Sequence, residues 1–216
     1  VMGLTASRLP GVLIMGGSKW AVELGAALKK MELPVIVADP NNAHLRSARE
    51  AGLDTFYGDI LSEAAEERVD LVAYEKLICA SDNDAYNTLV ATDLAPEFGR
   101  ENVFQLKRVR ETSSRHSLPA TLGGQAFGAN ETYFEANAAI AGGCEFRVTK
   151  LTEEFTAEDW RETQPEAVPF AELGPNGTLR LLGPEDELRG GPGTHLLARL
   201  PKRAERQAPE APAEDV

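Results

Sequence analysis

Cysteine, histidine and positive charge are all scarce in this sequence, and each scarcity removes a class of chemistry. The two cysteines, Cys79 and Cys144, lie far apart in apolar or glycine-rich settings with no C-x-x-C spacing. That argues against a disulfide framework and a local redox pair, and reads as a reduced, cytosolic protein. The three histidines, His44, His116 and His195, are too scattered for a local metal motif, so satisfied surface or core histidines are expected. Lys and Arg number 22 against 34 Asp and Glu, a formal net charge of -12, which disfavours nucleic acid and anionic lipid as partners. No apolar run approaches the roughly 20 residues that a bilayer crossing needs, and no signal peptide is recognisable.

What is present is a regular alternation of apolar runs and helical patterns. The stretch "GVLIMG" reads as a buried strand, and "KWAVELGAALKKM" follows with Trp20, Leu24, Ala27, Leu28 and Met31 at helical spacing. "LPVIVADP" is a second strand ending in an acid, and "NNAHLRSAREAG" a helix stopped by Gly52. Strands at "DTFYGDI", "KLICASD" and "ENVFQLKR" are separated by helical patterns in "LSEAAEERVDLVAYE" and "NDAYNTLVATDLAPEFG". Strands alternating with helices in this way imply parallel pairing, because each crossover returns the chain to the same edge. The expected fold is therefore α/β, an open parallel sheet with helices on both faces.

After residue 110 the alternation stops and the composition turns to serine, glycine, proline and alanine. We read residues 11–110 as one domain, 111–131 as a linker and 132–203 as a small α+β domain. Its parts are a helix at "NETYFEANAAIAGG" and β-like runs at "CEFRVTKLT", "VPFAELG", "GTLRLLG" and "GPGTHLLARLP". The Asn-Gly pair between two of these runs signals a hairpin. Residues 204–216, alanine and proline mixed with charge, read as a disordered tail.

The first strand-to-helix turn, "MGGSKWA", carries the candidate chemistry. In a dinucleotide loop one glycine permits the tight turn, a second lets the backbone approach a pyrophosphate, and a third lets helix and strand pack closely. Those places fall on Gly16, Ser18 and Ala21, with Gly17, Lys19 and Trp20 between them. The helix N-terminus and Lys19 suit an anion, and the Ser18 hydroxyl can donate to it. A ligand-free tight turn accounts for the glycines equally well. Asp39, ending the second strand about 20 residues on, tips the balance, since an acid there accepts from both hydroxyls of an adenosine ribose and rejects a 2'-phosphate. AMP, ADP, ATP or NAD(H) is thereby favoured over NADP. Ligands in an open parallel sheet lie off the carboxyl ends of the strands. Pro40, Asn41, Asp59, Ile60, Ala80, Ser81 and Asp82 therefore join the candidate site, although Ser81, Asp82 and Asn83 equally suit a helix cap.

In order, "VLIMGGSKWA", "VIVADPNNAHLRSAREAGLDTFYGDI" and "LICASDNDAYNTLVA" resemble the TrkA-N, or RCK, nucleotide-binding domain of potassium channels and cation transporters. The specific parts are Asp39 with Asn41, the "YGD" of Tyr57 to Asp59, and the "ASDND" stretch reaching Asn87. The resemblance covers about residues 12–108. It implies a Rossmann-like sheet, a nucleotide at the strand rim, pairing as a homodimer and no catalytic residues. The flanks "VMGLTAS", "TKLTEEFTAEDW" and "GTLRLLGPEDELRGGPGTHLLARL" are similar to bacterial monovalent cation/proton antiporters of the CPA1, NhaP-like type. They imply that residues 1–10 lead from a membrane domain and that the chain is that transporter's regulatory part at the cytoplasmic face. Two other readings remain. One is a small NAD-dependent oxidoreductase or epimerase, although none of Tyr57, Tyr74, Tyr86 or Tyr133 begins a Tyr-x-x-x-Lys pair. The other is a dimerisation scaffold whose nucleotide site has decayed at Ser18.

Overall fold

The computed structural model describes residues 10–109, 119 and 122–201. The expected N-terminal linker up to residue 9, much of the 111–131 linker and the 204–216 tail lie outside the described residues. Strands β1 (Gly11–Met15), β2 (Val35–Asp39), β3 (Asp54–Tyr57), β4 (Tyr74–Cys79), β5 (Val103–Gln105) and β6 (Gln125–Ala126) form one sheet in the order β3-β2-β1-β4-β5-β6. Every neighbouring pair in it is parallel. β1 and β2 are buried along their whole length, which is why they read as unbroken apolar runs rather than as alternation.

Strand periodicity sorts this core into two faces. Val12, Ile14, Val35 and Val37 point to one side, where they meet helix α1 (Lys19–Lys30) and α2 (Leu45–Glu50). Leu13, Met15, Ile36 and Leu77 point to the other, against α3 (Glu63–Arg68), α4 (Asp84–Asp93) and α5 (Ala95–Phe98). Successive Cβ atoms on opposite faces of a strand give this division. The α/β fold with helices on both faces is the architecture expected. Cys79 belongs to the second face and is fully buried, which pushes its thiol well above the ordinary range.

A second sheet is antiparallel, in the order β7-β10-β8-β9, from β7 (Glu145–Lys150), β8 (Val168–Leu173), β9 (Leu179–Leu181) and β10 (His195–Leu200). Its Phe146, Phe170, Leu179, Leu181 and Leu197 join the apolar cluster of α1, together with α6 (Tyr133–Ala141). α1 therefore has a sheet on either side, and its Trp20, Ala21, Val22, Leu24, Gly25, Ala27 and Leu28 are all buried, more than a single stripe. The outer face of the small sheet, with Leu196, Ala198 and Leu200, is covered by Trp160 of α7 (Ala157–Thr163). The Thr156–Asp159 capping box starts that helix.

The hairpin signal also gains detail. β8 and β9 do pair, with Leu173 opposite Leu179, but of the Asn-Gly pair only Gly177 takes a positive φ, 81°. Asn176 uses its side chain instead, accepting from the Thr178 N–H at 3.1 Å.

Candidate functional site

The turn after β1 is shaped by contact with the strand beside it. Gly16 has φ +113°, and a Cβ there would lie 2.6 Å from the Ala80 carbonyl and the Ser81 nitrogen. Only glycine lets the chain pass so close to the end of β4. Ser18 then begins α1 as its N-cap, its hydroxyl oxygen accepting from the Ala21 N–H at 3.2 Å.

Asp39, 4% exposed at the end of β2, holds the loops around it. Its Oδ2 accepts from the Gly17 N–H at 2.7 Å, and its Oδ1 from the Asn41 N–H at 2.7 Å. His44 Nδ1 is 3.1 Å from Oδ2, and Asn41 Nδ2 is 3.1 Å from His44 Nε2. The amide must donate to Nε2, so the network assigns the proton to Nδ1, which donates to Asp39. Asn41 also caps the following turn, accepting from the Ala43 N–H at 3.0 Å.

The same rim is completed by the ends of β3 and β4. Asp59 Oδ1 accepts from the Leu61 N–H at 2.9 Å and from the Tyr86 hydroxyl at 2.6 Å. Burial and this bond to Asp59 raise the Tyr86 phenol well above the usual tyrosine range. Asn87, fully buried on α4, locks Ser81. It accepts from the Ser81 N–H at 3.0 Å and the Ser81 hydroxyl at 2.7 Å, and it donates to the Ser81 carbonyl at 2.9 Å. Asn83 caps α4 through the Tyr86 N–H.

These residues enclose a cavity of about 440 Å³ lined by Gly17, Ser18, Asp39, Pro40, Asn41, His44, Asp59, Ser81, Asp82, Asn83, Tyr86 and Tyr133, within the size range of small-molecule sites. Tyr133 comes from α6, far along the chain. Burial raises its phenol, and the Asp82 and Asp39 charges raise it further. A larger cavity of about 730 Å³ opens beside Arg100, Lys107 and Gln125 near β5 and β6. It lies apart from the β1 turn and from Asp39.

Of the residues expected at the site, Gly17, Ser18, Asp39, Pro40, Asn41, Asp59, Ser81 and Asp82 line the cavity. The others are placed elsewhere. Trp20 is fully buried, edge-on to Phe127 and Phe146, because its position on α1 faces the second sheet. Ile60 is a core residue under β3, and Ala80 and Ala21 are buried with no surface on the cavity. Gly16 forms the turn and lies outside the lining, as does the exposed Lys19. The Ser81 N–H is bonded to Asn87. Sequence reasoning did not include His44, Asn83, Tyr86 or Tyr133 in the site. Asn83 and Tyr86 sit inside the quoted "ASDND" stretch and its continuation, so position relative to the strand end was the available signal. For Tyr133 there was none.

The cavity offers acceptors for ribose-like hydroxyls and two tyrosine rings for an apolar face. Among the described residues no group of three His, Cys, Asp or Glu side chains can hold a metal ion, and no helix is long and apolar enough to cross a membrane.

No curated protein matches the chain in sequence. Among solved structures, the crystal structure of the GsuK RCK domain is similar over 89% of this chain, at 13% identity and a TM-score of 0.41. This chain covers 44% of that one, less than half its length. The family model of the TrkA-N domain matches residues 12–120 of the 216, spanning β1 to β5, the glycine turn, Asp39 and the Ser81–Asn87 lock. The chain belongs to the TrkA-N domain family.

Proposed function

We propose that the cavity binds an adenosine-containing ligand, from among AMP, ADP, ATP and NAD(H), and that the chain is a regulatory module rather than an enzyme. The observation that carries this reading is Asp39. Its carboxylate lies in the cavity wall beside Gly17 and Ser18, where a ribose acid belongs. A carboxylate has roughly four lone-pair sites, and three are engaged by Gly17, Asn41 and His44, so acceptor capacity remains for a hydroxyl.

The partner is the transport domain of a bacterial CPA1-type cation/proton antiporter, with the module at the cytoplasmic face and paired as a homodimer. The similarity of the flanking segments supports that part of the reading. Tyr133 gives the ligand a route outward, because a contact there reaches α6 and the second sheet directly. The ligand biases transport only through different affinity for two arrangements of the module.

Calorimetric titration with adenosine, AMP, ADP, ATP, NAD, NADH and NADPH tests the reading, with oligomeric state followed by light scattering. Saturable binding that is lost in Asp39→Asn, with NADPH excluded, is the expected result. Absence of binding by every compound overturns it. The scaffold reading then stands, and one observation already favours it: donors at the start of α1 are bonded within the protein.

A further inference from the structure

A phosphate needs donors and positive charge, and the cavity supplies little of either. Three carboxylates, Asp39, Asp59 and Asp82, are in its wall, and among the described residues no lysine or arginine lines it. Several of the backbone N–H groups that would cradle a phosphate are already taken by acceptors of the protein. Gly17 donates to Asp39, Ala21 to Ser18, and Ser81 to Asn87. The Trp20 N–H, in the first turn of α1, donates to Asn137 Oδ1 on α6 at 3.1 Å. Asn137 is fixed in that position because its amide donates to the Tyr133 carbonyl at 2.9 Å, one turn back on the same helix. A phosphate brought here must displace these acceptors and lose solvation beside like charge. A ribose diol and an adenine amino group are donors, and they match what the wall offers.

We infer that the cavity prefers an uncharged nucleoside bearing a vicinal diol over the corresponding phosphates, and that Asn137 is a specificity-determining residue that closes the start of α1 against phosphate. This rests on the reading that the cavity binds an adenosine-type ligand. The nucleoside places one hydroxyl of its diol at Asp39 and its base against Tyr133 and Tyr86. The charge of Asp82 then stands against any phosphate.

The test compares adenosine, AMP, ADP and NAD by calorimetry on the full chain at low and high salt. Adenosine should bind about tenfold tighter than AMP, the effect of roughly 1.4 kcal/mol of repulsion, with ADP weaker again. The AMP affinity should rise with salt as the repulsion is screened, while that of adenosine stays constant. Asn137→Ala, which frees the Trp20 N–H, should narrow the gap between adenosine and AMP, and Asn137→Asp should widen it. Asp82→Asn narrows it independently of Asn137 by removing a carboxylate charge from the wall. AMP, ADP or NAD binding tighter than adenosine to the wild type overturns this inference and leaves the proposed function standing. An unchanged gap in Asn137→Ala, with the fold confirmed by circular dichroism, overturns the role of Asn137. No binding of adenosine or any phosphate overturns both the inference and the reading beneath it.

Discussion

The Gly17 N–H donates to Asp39 Oδ2 at 2.7 Å, joining the turn after β1 to the end of β2 across 22 residues of sequence. The acid that the sequence marks for a ligand is thus also a strut of the loop it faces. Asp39→Ala leaves the buried Gly17 N–H without an acceptor, at a cost of about 1–3 kcal/mol. Loss of binding in that variant must therefore be read beside its stability. Urea denaturation should show Asp39→Ala unfolding at lower denaturant than Asp39→Asn, which keeps one side-chain oxygen as an acceptor. Equal midpoints for Asp39→Ala and wild type would show that the strut contributes nothing.

Gly16→Ala should prevent folding or cost roughly 4 kcal/mol or more, the range of severe backbone and overpacking defects. The added methyl meets main-chain atoms of Ala80 and Ser81 at 2.6 Å while φ is held at +113°. Gly58→Ala is the comparison, because there the added Cβ meets only the Phe56 ring, at 3.2 Å, although φ is also positive at +147°. Soluble expression and thermal melting of the two variants should differ clearly.

Trp20 stands among Phe127, Phe146 and Phe170 with ring centroids about 6 Å away, and its indole N–H has no hydrogen-bond partner among the described residues. Trp20→Ala should cost about 3–5 kcal/mol from the cavity it opens. Trp20→Phe should cost much less, since it also removes an unpaired buried donor. Denaturant midpoints of the two variants measure the difference.

Acid should loosen the helices that begin at capping boxes. The Thr132 backbone bond and hydroxyl lower the Glu135 carboxyl from 4.5, and the Thr156 hydroxyl and backbone bond lower that of Asp159 from 3.8. Below those values the unfolded chain binds more protons than the folded one, so stability falls as pH falls. The contribution is present above about pH 4.5 and disappears as each carboxyl is protonated in the fold. Denaturation across this range should show a smaller pH dependence for Glu135→Gln than for the wild type.

Elements built from local periodicity were legible in the sequence, and relations between distant elements were not. The buried runs of β1 and β2 and the stripe of α1 announce a parallel sheet without help from the rest of the chain. Trp20 was read in two ways, as part of the helical stripe and as part of the loop. Packing against the second sheet decides for the stripe, and a turn motif alone cannot show that. α7 was missed because only Trp160 is buried on it, too little for a period, although the Thr156-to-Asp159 spacing is itself a start signal. Tyr133 and Asn137 reach the β1 turn only because α6 docks beside α1. Pairings of that kind depend on complementary surfaces, which a single sequence does not display.

β10 lies between β7 and β8, so the last described strand is an interior one of its sheet. During synthesis the TrkA-N strands can pair as they emerge, whereas β7 and β8 have no common neighbour until residues 195–200 follow them. Until then the side of α1 carrying Trp20 has no complete cover. A ribosome paused between β9 and β10 would hold a nascent chain with a finished parallel sheet and a sticky apolar flank, the state most exposed to aggregation or chaperone capture.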